Sequence, residues 1–281
     1  MRVSTTRTWT TRSSSRMRSP RCARSNACSR ACRWARNTSR ADARDPMTHL
    51  RPVTGAAIVG RGMLAHAMAP VVQARHGCIA FASGVSNSTE TDPAAFAREE
   101  ALLREHLQDP RTLLYFSSCG VADEHEARRP YIRHKLAMEA LVRAHGGRIV
   151  RLPQVVGRTD NPHTLTNYLR DRIVRGEHFD LWANAERNLV DVDDVVRIVA
   201  ALLDKWPEDR RTVTIASPAS TPMPKIVAVF EQVLGRKANY TSLDLGRPMP
   251  VDTALARSIA ARIGIGFDAR YLERVIGKYY G

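Results

Sequence analysis

The stretch GAAIVGRGMLAHAMAPVVQARHGCIAFASG, residues 55–84, decides the fold. It reads as strand, glycine turn, helix and strand. GAAIVG (55–60) is a short apolar run bounded by glycines, and CIAFASG (78–84) is a second one. Between them Gly60-Arg61-Gly62-Met63-Leu64-Ala65 is a G-x-G-x-x-A run set where a strand gives way to a helix. In such a setting the glycines let the backbone turn tightly and approach a pyrophosphate, whose charge the helix N-terminus stabilises. Glycines also serve as plain turn residues, so this run alone does not establish a nucleotide site.

Working outward, DPAAFAREEALLREHLQDP (92–110) predicts a helix with Phe96, Leu103 and Leu107 on one side, and TLLYFSS (112–118) a third strand. YIRHKLAMEALVRAHGG (131–147) predicts a helix whose Ile132, Leu136 and Ala140 recur every four residues, closed by Gly146 and Gly147. RIVRLPQVVG (148–157) predicts a fourth strand. This alternation implies an α/β fold with a mainly parallel sheet covered by helices on both faces.

Composition agrees. With 281 residues, 43% hydrophobic and 25% charged, the chain is long enough to bury a sizeable core. No apolar run approaches the roughly 18 residues of a membrane-spanning helix, which predicts a soluble protein without a membrane partner. The net charge of +15 suggests nucleic acid until its position is considered. Residues 1–46 hold 12 Arg, no Lys and two acids, whereas the remaining 235 residues carry 31 Lys+Arg against 26 Asp+Glu. The later part is only mildly basic, so no nucleic-acid partner is expected for the folded domain. The Arg/Ser-rich segment has no periodicity and few large aliphatics, which predicts a disordered extension. It resembles a transit peptide or a nucleic-acid-binding arm in composition, and Met47 opens a stretch that reads as the natural start of a domain, so residues 1–46 also read as a mis-assigned upstream start. Cys22, Cys28 and Cys32 match no zinc spacing, and with Cys78 and Cys119 they fit a reducing, cytoplasmic setting.

The run YFSSCGVADEHEARRPYIRHK (115–135) ends a strand in two serines and opens a helix with Tyr131 and Lys135. Residues four apart on a helix share a face, so a phenol and an ammonium stand side by side. A cation beside a phenol favours the phenolate, and a tyrosine so placed can serve as an acid or base near neutral pH. The plain alternative is an amphipathic helix in which Tyr131 packs.

The order Gly60-x-Gly62-x-x-Ala65, LLYFSSCGV, PYIRHKLAME, RLPQVVGR and RNLVDVDDV resembles the extended short-chain dehydrogenase/reductase family, the NAD-dependent epimerase/dehydratase group, over about residues 55–281. The resemblance implies a Rossmann-type core over 52–160 and, over 161–281, the return of the core with a small substrate lobe. It implies NAD or NADP as cofactor, a nucleotide-sugar substrate, and epimerase, dehydratase or reductase activity. It leaves a homodimer open. By motif, Tyr131 matches the catalytic tyrosine and Lys135 the lysine that holds the nicotinamide ribose. Ser118, three residues before Val121, matches the residue that hydrogen-bonds the reacting hydroxyl. Gly60, Gly62, Ala65 and Ser83 join Lys135 on the cofactor side. Gln154 stands where relatives carry Asn, Asn161 falls in the pocket-building segment 157–182, and Arg187 matches an arginine that contacts the substrate diphosphate. In that same segment His163, Thr166 and Asn167 are further candidates to face the ligand; no metal site is expected. Asp193 and Asp194 are expected to cap the helix that follows.

Two departures accompany the resemblance. Only about 18 residues separate Gly60 from the strand at Cys78, room for a single helix, so two strands and the adenosine side of the site are expected to be missing. GVAD (120–123) replaces a Val-Tyr-Gly segment. The competing reading is therefore a non-catalytic binding or regulatory protein of the same fold.

Overall fold

The computed structural model describes residues 57–75 and 77–281; the Arg/Ser-rich segment 1–46 lies outside them. After Ile58–Val59 (β1) the chain forms Met63–Gln73 (α1), Cys78–Phe81 (β2), Pro93–His106 (α2) and Thr112–Ser118 (β3). Two short 3-10 turns lead into Pro130–Ala144 (α3), which is followed by Arg148–Leu152 (β4) and Gln154–Val156 (β5). Then come Leu165–Arg175 (α4), Phe179–Trp182 (β6), Glu186–Arg187 (β7), Leu189–Asp191 (β8), Val192–Asp204 (α5) and Thr212–Thr214 (β9). Thr221–Pro222 (β10), Met223–Leu234 (α6), Tyr240–Leu243 (β11), Ala254–Arg262 (α7) and Tyr271–Tyr280 (α8) complete the chain.

The main sheet has the order β1-β2-β3-β4-β9, and every neighbouring pair is parallel. Buried on both faces, its strands are near-continuous apolar runs: all four residues of β2 and five of the seven in β3 are buried. Residue parity divides the core. Leu114 and Phe116 of β3 face Met68 and Val72 of α1, Ile198 of α5 and Ile259 of α7. Leu113 and Tyr115 face Leu103 of α2 and Met138 and Val142 of α3. A separate cluster joins α4, β6, α6 and α8 through Leu169, Phe179, Phe230 and Ile276.

This division reveals an unusual crossover. β1 to β2 and β2 to β3 step the same way along the sheet, yet α1 lies on the opposite face from α2. The crossover through α1 therefore has the opposite hand to those through α2 and α3, whereas such connections nearly all share one hand. Only residues 74–77 link α1 to β2, so the chain turns straight back beside β1 instead of running outward to further strands. β1 is thereby an edge strand among the described residues, in accord with the expected loss of two strands.

Local chemistry explains the element ends and corrects three expectations. Asp92 caps α2, its side chain accepting from Ala94 N at 2.9 Å, with Pro93 in the first turn. The stretch 148–157 is two strands instead of one, because Pro153 has no N–H to continue the ladder; β5 then pairs with β8 in a different sheet. α5 is capped by Asp191, which accepts from Asp193 N at 2.9 Å, while Asp193 and Asp194 lie in its first turn. The buried face of α3 is not the Ile132–Leu136–Ala140 stripe. Ala140 is exposed, and the face carries His134, Lys135 and Glu139 beside Ile132, Met138 and Val142.

Candidate active site

A cavity of about 1210 Å³ opens at the C-terminal ends of β1 to β4 and extends to the loops of the α4–β6 region. The strands place its residues: the β1 turn brings Arg61 and Gly62, β2 leads to Ser83 and Gly84, and β3 delivers Ser117 and Ser118. Tyr131 and Lys135 reach it from the first turns of α3, and Gln154, Asn161, His163 and Arg187 line its far side. The sequence-predicted residues meet the cavity in different ways. Gly62, Ser83, Ser118, Tyr131, Lys135, Gln154, Asn161 and Arg187 are on its wall. Gly60 and Ala65 are not, although both shape it.

Gly60 adopts φ +134°, and a Cβ there would lie 2.5 Å from the Ala82 carbonyl oxygen, so only glycine lets the turn pass against β2. Ala65 is fully buried against the core and gives α1 its close packing on the sheet. Gly62 is different. Nothing lies within 4 Å of where its Cβ would stand, and the space it leaves is cavity. No side chain caps α1 and no acid occupies its first turn, so the free N–H groups there suit an anion.

Ser118 closes β3, and its Oγ accepts from Gly120 N at 3.1 Å, fixing the backbone as it leaves the sheet. Tyr131 is 9% exposed at the start of α3. Lys135 stands over the Tyr131 ring, 5.8 Å from its centroid, but its hydrogen bonds go elsewhere. Nζ donates to Glu99 Oε1 at 2.9 Å and to Tyr115 OH at 3.0 Å, and Tyr115 OH in turn donates to Glu99 Oε1 at 2.8 Å. Val85 N donates to Glu99 Oε2 at 2.7 Å, and His134 Nε2 lies 3.0 Å from the same oxygen. Gly84 admits this cluster, since a Cβ there would sit 2.9 Å from Lys135 Nζ.

Burial opposes charge throughout this network, and pairing offsets it. The Glu99 carboxyl is penalised by burial, yet the hydrogen bond with His134 and the charge of Lys135 hold it down at about 2. Burial likewise opposes the Lys135 ammonium, while Tyr115 and Glu99 hold it above its ordinary value. Burial raises the Tyr115 phenol, which therefore stays neutral. It also pushes the Cys119 thiol up to about 12, so this cavity-lining sulfur is no thiolate at neutral pH.

Glu99, Tyr115 and His134 are absent from the sequence reading. Glu99 sits in the charged run Arg98-Glu99-Glu100, where nothing local distinguishes a buried carboxylate from solvated ones. Its partner Lys135 is 36 positions away.

Across the cavity Arg187 is half-buried and its guanidinium donates to the Glu186 carbonyl at 2.7 Å. Burial lowers its pKa, with Glu126 opposing. Arg247 donates to Asp123 Oδ2 at 2.8 Å, tying the loop after β11 to the loop before α3. Asn161 Nδ2 donates to Ser86 Oγ at 3.0 Å across the rim. Thr166 and Asn167, expected to face a ligand, are buried. Asn167 donates to the Thr159 and Asn161 carbonyls at 2.8 and 2.9 Å and accepts from Tyr280 OH, so its job is to hold the loop. Among the described residues no group of three or more His, Cys, Asp or Glu could hold a metal, and no helix is long and apolar enough to cross a membrane.

The model of the NAD dependent epimerase/dehydratase family matches residues 78–216, from β2 through β9 to the segment after it. The match takes in Ser118, Tyr131, Lys135 and Arg187. No curated protein matches the chain by sequence. Among solved structures, the chain is similar to UDP-glucuronic acid 4-epimerase from Bacillus cereus, in complex with UDP-glucuronic acid and NAD, at 14% identity and TM-score 0.59 over 75% of this chain and 76% of that one. It is similar to UDP-glucose 4-epimerase from Thermus thermophilus in complex with NAD, at 15% identity and TM-score 0.57 over 77% and 81%. It is also similar to RMD from Pseudomonas aeruginosa complexed with NADPH, at 15% identity and TM-score 0.52 over 71% and 77%. At these identities the likeness is one of fold.

Proposed function

We propose that this protein is an NAD- or NADP-dependent enzyme that epimerises, dehydrates or reduces a nucleotide sugar in a cytoplasmic setting. The observation that carries this reading is the meeting of Ser118, Tyr131, Lys135, the Gly62 turn and Arg187 on one cavity wall. The open space at Gly62 and the uncapped start of α1 fit the phosphates of a nicotinamide dinucleotide. When bound, such a cofactor supplies the hydride chemistry.

The chain's own residues do the rest. The Ser118 hydroxyl orients the reacting sugar hydroxyl by a hydrogen bond. The Tyr131 phenol exchanges the proton with that oxygen, as general acid or base. Lys135, charged and held by Glu99, presents its remaining donor capacity to the cavity and fixes the field felt at Tyr131. Gln154 and Asn161 contact the sugar. Arg187 offers a fork of donors to the substrate diphosphate, and its partial burial strengthens that pairing.

A second reading, a non-catalytic binding or regulatory protein, is favoured by one feature: Lys135 spends two of its donors on Glu99 and Tyr115. The experiment that separates the two incubates full-length protein with NAD or NADP and a panel of UDP-, dTDP- and GDP-sugars. Product is followed by chromatography and by the near-ultraviolet absorbance of reduced nicotinamide. Turnover by the wild type and its loss in Tyr131→Phe are the expected results. Binding of a nucleotide sugar with no turnover of any panel member would establish the second reading.

A further inference from the structure

The main sheet never reverses its strand order at β1. Each step from β1 to β4 and on to β9 goes the same way, so neighbours stand on one side of β1 only among the described residues. Dinucleotides bind in the crevice where such a sheet reverses, one half of the ligand over the strands on each side. Here one side is present: β2, β3 and the start of α3, which bring Ser83, Ser118, Tyr131 and Lys135 to the cavity. Among the described residues the wall on the β1 side ends at Arg61–Leu64. The connection beyond α1 is too short to add to it, and Arg75 within it is committed to Asp204 at 2.8 Å. Arg61 is exposed, where water and salt screen its charge.

We infer that the cofactor site recognises the nicotinamide mononucleotide half of a dinucleotide together with the adjoining phosphate, and builds no discriminating contact to adenosine. This rests on the dinucleotide site proposed above. The adenosine half projects past the edge strand into solvent. Because the phosphate that distinguishes NADP from NAD sits on that half, the site does not select between them. Nicotinamide mononucleotide by itself satisfies most of the contacts the chain provides.

Isothermal titration calorimetry of the full chain with nicotinamide mononucleotide, NAD, NADP and adenosine monophosphate tests this. The first three are expected to bind with dissociation constants within about threefold of one another, and adenosine monophosphate not to bind at the same concentrations. If NAD or NADP binds about tenfold or more tightly than the mononucleotide, or if adenosine monophosphate binds as well as NAD, the inference is overturned while the cofactor reading stands. If none of the nicotinamide nucleotides binds at millimolar concentration, both fall together. Gly62→Val is expected to weaken all three nicotinamide ligands by a similar factor; a loss confined to NAD and NADP would also overturn the inference.

Discussion

Lys135 on α3 and Glu99 on α2 form a buried ion pair, Nζ to Oε1 at 2.9 Å, directly behind the face that carries Tyr131. The pair is 3% and 5% exposed, and Tyr115 OH bridges it. A lysine that otherwise faces the cavity is thus anchored from behind by a carboxylate held down at about 2.

That anchoring has a pH signature. The folded-state value of Glu99 is below its ordinary 4.5, so its stabilisation is fully present above that value and is lost as pH falls toward about 2. A difference of this size corresponds to about 3 kcal/mol near neutral pH, falling to less than half of that by about pH 3. Urea unfolding of wild type and Glu99→Gln should therefore differ strongly at neutral pH and converge in acid. A gap that stays constant across this range would show that the carboxylate charge is not what stabilises the cluster.

The two turn glycines should separate. Gly60→Ala meets the Ala82 carbonyl in a conformation that L residues rarely adopt and should cost at least about 2 kcal/mol of stability. Gly62→Val has open space and should change stability by less than about 1 kcal/mol while weakening nicotinamide nucleotide binding. Thermal melts and calorimetry on the same two variants decide this, and equal destabilisation by both would refute it.

Tyr131→Phe keeps the ring and removes one hydroxyl. Stability should move by no more than about 1 kcal/mol, while turnover of the substrate found in the panel should fall about a hundredfold. Wild-type turnover by this variant would leave Tyr131 as a packing residue.

Asn167 holds the loop that carries Asn161 and His163 through two donated hydrogen bonds and one accepted from Tyr280. Asn167→Leu should destabilise the fold by about 2–3 kcal/mol, since the groups it leaves are buried. It should also raise the nucleotide-sugar dissociation constant without touching nicotinamide nucleotide binding. Paired titrations of the two ligands measure this directly.

The sequence by itself determined the elements whose signals are local. The largely apolar run Thr112–Ser118 is β3 from end to end, because a strand buried on both faces is a near-continuous apolar run. Pro93 and Pro130 open their helices, and the short interval from Gly60 to Cys78 left room for one helix and no further strand. The order of motifs likewise brought Gly62, Ser118, Tyr131 and Lys135 to one cavity, since parallel strands deliver their C-terminal loops to the same edge. The tertiary structure alone decided which groups are paired. Periodicity identifies the apolar face of a helix but cannot show that His134, Lys135 and Glu139 lie on the buried face of α3, because their burial is made tolerable by partners far away in sequence: Glu99 for the first two and Arg151 for the third. Asn167 reads as a polar loop residue until Tyr280, 113 positions later, is seen to close on it. The reversed hand of the α1 crossover also belongs to the tertiary structure, since it depends on which face of the sheet a helix covers, and that is set by packing α1 against α5 and α7.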